Sequence, residues 1–134
     1  MNILIIDAQG GGIGKQLVAA VKRDYPDNTV TAVGSNSAAT AAMLKAGADR
    51  AATGENAVVV AAKKADIIVG PIGIVIADSM YGEITPKMAA AVAQSSGKRI
   101  LIPFNNCDNI IAGVSDYTLG RLIQSAVDEI GKLI

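Results

Sequence analysis

A three-layer α/β sandwich, with a mostly parallel sheet covered by helices on both faces, is the fold class the sequence predicts, and three observations carry it. Apolar runs of strand length alternate along the chain with segments of helical spacing, the order that builds parallel β-α-β units with right-handed crossovers. The apolar content is 51% but the aromatic content only 3%, so the interior is made of Ile, Val, Leu and Ala, the residues of a sheet buried on both faces. The third observation is a glycine cluster, Gly10-Gly11-Gly12-Ile13-Gly14, standing where the first strand gives way to the first helix.

The elements follow in order. Asn2 to Asp7 is an apolar strand, and Ile13 to Tyr25 has helical spacing with Ile13, Leu17, Val18 and Val21 on one face. Thr29 to Val33 is the second strand; Ser37 then caps a helix running to Ala46, with Gly47 behind it. Ala48 to Ala52 reads as a short edge strand, Thr53 as the cap of a helix from Gly54 to Lys64, and Asp66 to Gly70 as a buried strand. Gly70-Pro71-Ile72-Gly73 breaks the run, and Ile74 to Met80, ambiguous by periodicity, is assigned to a short helix. Thr85-Pro86 opens a helix to about Ser95, because threonine caps and proline suits the first helical position. Arg99 to Pro103 is a strand, Asn105 to Asn109 a polar loop, Ile110 to Val114 a short final strand, and Thr118 to Leu133 the last helix. No linker or repeat interrupts the order, so one Rossmann-like domain over residues 1–134 is expected.

Composition excludes several functions. Twelve basic and twelve acidic residues cancel without a long run of either sign, which is not the footprint of a nucleic-acid binder. No apolar stretch has the length of a membrane span and no basic region precedes the first strand, so no membrane partner and a cytoplasmic location are expected. One cysteine and no histidine exclude an intramolecular disulfide, a histidine-held metal and any imidazole base. Without such a base, Cys107 reads as a small apolar residue rather than a nucleophile.

Ligands of parallel sheets bind at the carboxyl ends of the strands. That rule gathers four loops: Asp7 to Gly14, Gly34 to Ser37, Gly70 to Asp78, and Pro103 to Asp108. In the first, Gly10, Gly11, Gly12, Ile13 and Gly14 suit a phosphate, since glycine lets an anion approach the backbone and the helix start presents free N–H groups. Lys15 in the first helical turn opposes the helix dipole, a conflict a bound anion relieves. Ser35 and Asn36 stand where an adenine ribose would lie, with no acid available there to select NAD and no arginine to select NADP. Gly70, Pro71 and Gly73 are the candidates opposite. Asp78, Ser79, Glu83, Asn105, Asn106 and Asp108 are available to line the other half of the cleft. Asp7 would repel a phosphate, and its alternative role is to accept hydrogen bonds from the loop's own amides.

Gly12-Ile13-Gly14 resembles the end of the short-chain dehydrogenase fingerprint, but Ala8 replaces its first glycine, and none of Tyr25, Tyr81 and Tyr117 has the lysine four residues on that the family's chemistry needs. Gly11-Gly12-Ile13-Gly14-Lys15 looks like the deviant Walker A loop of partition ATPases, with Gly10 in place of the signature lysine and Gln16 in place of the metal-binding threonine; ATP hydrolysis is therefore not implied. Over nearly its whole length the chain is similar to an uncharacterised domain-of-unknown-function family of small bacterial Rossmann-like proteins. The likeness is carried by Asp7-Ala8-Gln9-Gly10-Gly11-Gly12-Ile13-Gly14-Lys15-Gln16, Ala41 to Asp49, Ala52 to Ala57, Ala65 to Gly73 and Gly82 to Pro86. This resemblance implies the fold and no reaction. The functional expectation is a nucleotide- or dinucleotide-binding protein holding NAD or NADP, an oxidoreductase or a nucleotide sensor. The alternatives are a non-catalytic oligomeric interaction protein and, behind it, a deviant P-loop ATPase. The alanine-rich helices lead to the expectation of a homo-oligomer.

Overall fold

A computed structural model of the protein describes residues 1–104, 108–115 and 117–134. Five parallel strands, β1 (Asn2–Asp7), β2 (Thr29–Gly34), β3 (Arg50–Thr53), β4 (Ile67–Pro71) and β5 (Lys98–Ile102), lie in the order β3-β2-β1-β4-β5. The helices between and after them are α1 (Gly12–Asp24), α2 (Ser37–Lys45), α3 (Glu55–Lys64), α4 (Pro86–Ala93) and α5 (Leu119–Leu133).

The sheet is wholly parallel, which explains the near-continuous apolar composition of β1 and β4. Alternate residues of β1 feed two separate cores. Ile3 and Ile5 pack with Leu17, Val18 and Val21 of α1, Met43 of α2, and Ile123, Val127 and Ile130 of α5. Leu4 and Ile6 pack on the other face with Val58 and Ala62 of α3 and Met88 and Val92 of α4. Two helical layers enclosing one sheet result, and among the described residues no helix is long and apolar enough to cross a membrane.

Most element boundaries agree with the sequence reading to within two residues. Four local assignments differ. Asn36, not Ser37, caps α2: it has the extended backbone a cap requires, and its Oδ1 accepts the Ala39 amide at 2.9 Å. Thr53 does not cap α3; its hydroxyl pairs with that of Thr40 at 2.7 Å, and Gly54 holds the cap position without a side chain. Ile74 to Met80 is not an α-helix but a 3-10 turn, Ile72–Val75, followed by consecutive turns. Asp78, Met80 and Tyr81 have φ of 64°, 54° and 58°, which a right-handed helix cannot accommodate. Ile110 to Val114 forms no strand: Ile110 is 96% exposed, so pairing would gain no burial, and Gly113 turns the chain at φ 81°. The Asn105 to Asn109 loop assignment and Cys107 fall at least in part outside the described residues.

At Gly70 the sheet has no room for a side chain. A Cβ there would stand 2.5 Å from the carbonyl oxygen of Ile6 on the adjacent strand, a backbone atom that cannot rotate away. Gly70→Ala is therefore expected to destabilise the fold by about 1–3 kcal/mol, the cost of overpacking, as measured by urea unfolding. Gly10→Ala, where a Cβ meets nothing within 4 Å, should unfold within about 0.5 kcal/mol of the wild type.

Candidate functional site

The strand order reverses direction between β1 and β4, since β2 and β3 lie on one side of β1 and β4 and β5 on the other. This switch point leaves a crevice at the carboxyl ends of the two strands. A cleft of about 180 Å³ occupies it, lined by Asp7, Ala8, Gln9, Gly10, Gly12, Ile13 and Gln16 from the glycine loop and α1. Pro71, Met80, Phe104 and Leu119 complete the wall from β4, the segment before α4, the end of β5 and α5. One side thus mixes backbone and polar side chains with Ala8 and Ile13, and the other is apolar.

The glycines separate by task. Gly10 and Gly12 line the cleft, and a Cβ at either would enter open space. Among the described residues their amides have no partner within the chain. Gly11 faces away: its φ is 74°, and a Cβ would stand 2.9 Å from Cα of Ala39 on α2. Gly14 brings α1 against α2 and β1, for its missing Cβ would meet Met43 Sδ at 2.5 Å and Asp7 Cβ at 2.9 Å. Ile13 and Pro71 line the cleft, Gly70 lies within the sheet, and Gly73 packs against Ser79 and Met80.

Asp7 is 4% exposed, and its carboxylate accepts the Ala8 amide at 2.8 Å and the Gly14 amide at 2.7 Å. A carboxylate of the chain itself therefore sits at the positive end of α1. Burial pushes its carboxyl above the ordinary 3.8, against the lowering effect of the amides of Gly14, Ala8 and Ile13, and Glu83 nearby adds to the rise. Lys15 is exposed, and its conflict with the helix dipole is already answered by Asp7.

Ser35 and Asn36 do not line the cleft. Both turn their donors to Glu83: Oε1 accepts the Ser35 hydroxyl at 2.6 Å, the Asn36 side-chain amide at 2.7 Å and the Gln9 backbone amide at 2.9 Å. The end of β2 thus does have an acid, delivered from a segment remote in sequence. Nothing local to Gly34-Ser35-Asn36-Ser37 signals it; the expectation of a charge-free β2 end holds for the chain's neighbours and not for its fold. Glu83, expected as a candidate lining residue, is not among those that line the cleft; Met80, Phe104 and Leu119 are, and the sequence alone does not single them out, although the carboxyl-end rule places the loops after β4 and β5 at this end. Among the described residues no group of His, Cys, Asp or Glu is arranged to hold a metal ion.

Comparison with known protein families places residues 2–134 in the family described as Domain of unknown function (DUF3842), and the chain belongs to it. Comparison with curated proteins gives no match. Among solved structures the chain is similar to a dodecameric FMN-dependent UbiX-like decarboxylase from Escherichia coli O157:H7, with 18% identity and a TM-score of 0.50 over 98% of this chain and 76% of that one. At this identity the likeness concerns the fold: a parallel, Rossmann-like α/β sheet.

The Glu83 carboxyl is subject to burial, which raises it, but the Ser35 hydroxyl, Gln9 amide and Asn36 amide draw it below the ordinary 4.5. With the folded value below the unfolded one, the stabilisation is complete above about pH 4.5 and fades as pH falls through the lowered value. Glu83→Gln should accordingly be less stable than the wild type at pH 7, with the difference closing as the pH is taken well below 4.5. Urea unfolding of both proteins across that range is the check, and a difference independent of pH would contradict the assignment.

Proposed function

We propose that this protein binds a mononucleotide at the switch-point cleft, with the phosphate on the amides of Gly10 and Gly12 and flavin mononucleotide the first candidate. The observation that carries the reading is the composition of the cleft, in which two glycines whose amides have no partner among the described residues share the lining with Pro71, Met80, Phe104 and Leu119. Amides of that kind take a phosphate, and an apolar wall with one aromatic takes a flat heterocycle.

Two carboxylates flank the loop, and both hold donors of the chain, Asp7 two backbone amides and Glu83 three donors, although at Asp7 burial outweighs them. A phosphate on Gly10 and Gly12 meets charges that the chain's own donors already engage. The cleft of about 180 Å³ is below the roughly 300–1,000 Å³ of sites that enclose a whole drug-sized ligand, so it holds one end of a nucleotide. FMN is placed ahead of NAD and NADP, the expectation from the glycine loop alone, because the similar decarboxylase of the same fold is described as FMN-dependent. When bound, a flavin supplies electron or hydride transfer, and the residues named here bind and orient it.

Gly12→Val should fold normally, because the new Cβ meets nothing within 4 Å and the residue opens α1. It should weaken FMN binding by at least about a hundredfold through loss of the phosphate contacts. Flavin fluorescence titration of both proteins decides the matter, and unchanged affinity would remove the loop from the site.

We also propose a homo-oligomer. Tyr81 is 100% exposed and Ile110 96%, and the similar decarboxylase is dodecameric. Light scattering at micromolar concentration should return a multiple of 13.6 kDa. A monomeric mass there would refute it.

A further inference from the structure

In a parallel sheet of this kind the phosphate of a nucleotide rests on the glycine loop and the ribose reaches the end of the second strand, where an acid accepts the sugar hydroxyls. The local sequence at that place, Gly34-Ser35-Asn36-Ser37, contains no acid, but the fold brings Glu83 to it from the segment before α4. The two carboxylate oxygens of Glu83 are used unequally. Oε1 accepts the Ser35 hydroxyl at 2.6 Å, the Asn36 side-chain amide at 2.7 Å and the Gln9 backbone amide at 2.9 Å, whereas Oε2 has no partner among the described residues. We infer that Glu83 Oε2 accepts the vicinal 2′- and 3′-hydroxyls of a ribonucleotide whose 5′-phosphate lies on the amides of Gly10 and Gly12, an inference that rests on the phosphate position proposed above.

The spacing suits a single sugar. Gln9, whose amide holds Oε1, directly precedes Gly10, so the carboxylate and the first phosphate-binding amide stand one residue apart along the loop. That residue is itself fixed: Gln9 has φ of 53°, uncommon for a residue other than glycine, and Asn36 Nδ2 donates to its carbonyl at 2.9 Å. The segment carrying Glu83 is anchored as well, with Met80 and Ile84 buried in the cluster that holds Ala8 and Val33. Three donors on Oε1 hold the carboxylate in one orientation, and the half-exposed side chain leaves Oε2 accessible. An oxygen with both lone-pair sites open matches two adjacent hydroxyls, and an ionised acceptor makes the stronger bonds. Burial raises the Glu83 carboxyl, but its donors draw it below the ordinary 4.5, so the acceptor is charged at neutral pH. The same charge sets the selectivity: a 2′-phosphate would be repelled, and a 2′-deoxy sugar would offer one donor fewer. The choice that the β2 turn leaves open in sequence is thus made by a residue remote from it. Neither Glu83 nor the β2 turn lines the apolar cleft, so a flavin against that wall and a ribose at Glu83 have only the phosphate position in common.

The test is calorimetric titration of AMP, 2′-deoxy-AMP and adenosine 2′,5′-bisphosphate into the wild type and Glu83→Gln, each first shown to unfold cooperatively. The wild type should take AMP at least about tenfold more tightly than either analogue. Glu83→Gln keeps an oxygen for the three donors but loses the charge, and should bind all three ligands within about threefold of one another. A wild type that does not bind AMP, or that binds either analogue as tightly, would overturn the inference, as would a folded Glu83→Gln that keeps the wild-type ranking. Should the variant not fold, the ranking of the three ligands on the wild type decides alone. Titration of FMN into the wild type separates the two ideas. Binding of the adenosine ligands in the expected order without binding of FMN removes the flavin reading and sustains the role of Glu83; binding of FMN without binding of AMP does the reverse.

Discussion

Asp7 is 4% exposed, and a carboxylate that deep is tolerated only where donors surround it. The chain supplies them from both sides of one loop: the Ala8 amide directly after the strand, and the Gly14 amide from the first turn of α1. The second bond fixes where α1 begins, because the helix start must stand over the end of β1 for its amide to arrive at 2.7 Å. The loop between them then has to fold back tightly, which it does through Gly11 at φ 74° and a bond from the Gly11 amide to the Ala8 carbonyl. Gly14 can approach only because it lacks a Cβ. Gly11 and Gly14 are thus accounted for by this carboxylate and by packing on α2, and Gly10 and Gly12 are the glycines left open to a ligand.

That division shows what a sequence can disclose about such a loop. The run from Gly10 to Gly14 announces close backbone approach, but the approaching group is not written in it; here it is α2 at Gly11, Met43 and Asp7 at Gly14, and open cleft at Gly10 and Gly12. The architecture was legible for a different reason. Buried parallel strands such as Ile67–Pro71 are apolar over their whole length, and Thr85-Pro86 marks a helix start by local chemistry alone, as the hydroxyl bonded to the Met88 amide bears out. Ile74 to Met80 misled because its apolar residues serve packing on a turn rather than a helix face, with Ile74 and Met80 both buried in one cluster. Ile110 to Val114 has the apolar content of a strand without its burial, for Ile110 is almost fully exposed. Glu83 could not be read as a partner of Ser35 and Asn36 at all, since the pairing depends on how a remote segment returns to the sheet.

Asp7 and Glu83 bracket the glycine loop and respond to it in opposite ways. For Asp7, burial outweighs two backbone donors and the carboxyl is raised, so its ionisation is a charge the fold tolerates at a cost that grows as pH rises past 3.8. For Glu83, half exposed and served by three donors, the balance tips the other way and the charged form is the one the fold favours. Depth decides the sign: the same kind of group with a similar set of donors is a burden where water is excluded and an attachment where water remains. The attachment also draws the β2 turn and the glycine loop toward one atom, so the two walls of the ligand end are not independent of each other.

Burial and hydrogen bonding together explain how the segment before α4 keeps an unfavourable backbone. Asp78, Met80 and Tyr81 all lie in the left-handed region, which costs L-residues about 1–2 kcal/mol each. Burial of Met80 and Ile84 contributes a comparable amount, about 1.5–3 kcal/mol for each side chain. The buried Ser79 hydroxyl adds a bond to the Gly73 carbonyl at 2.6 Å, the Asp78 amide one to the Ile84 carbonyl at 2.7 Å, and Glu83 its three donors from the glycine loop and the β2 turn. Tyr81, wholly exposed, adds no burial to hold the segment there. The ligand end is therefore held on one side by Asp7 and the packing of Gly14, and on the other by apolar burial and several hydrogen bonds together.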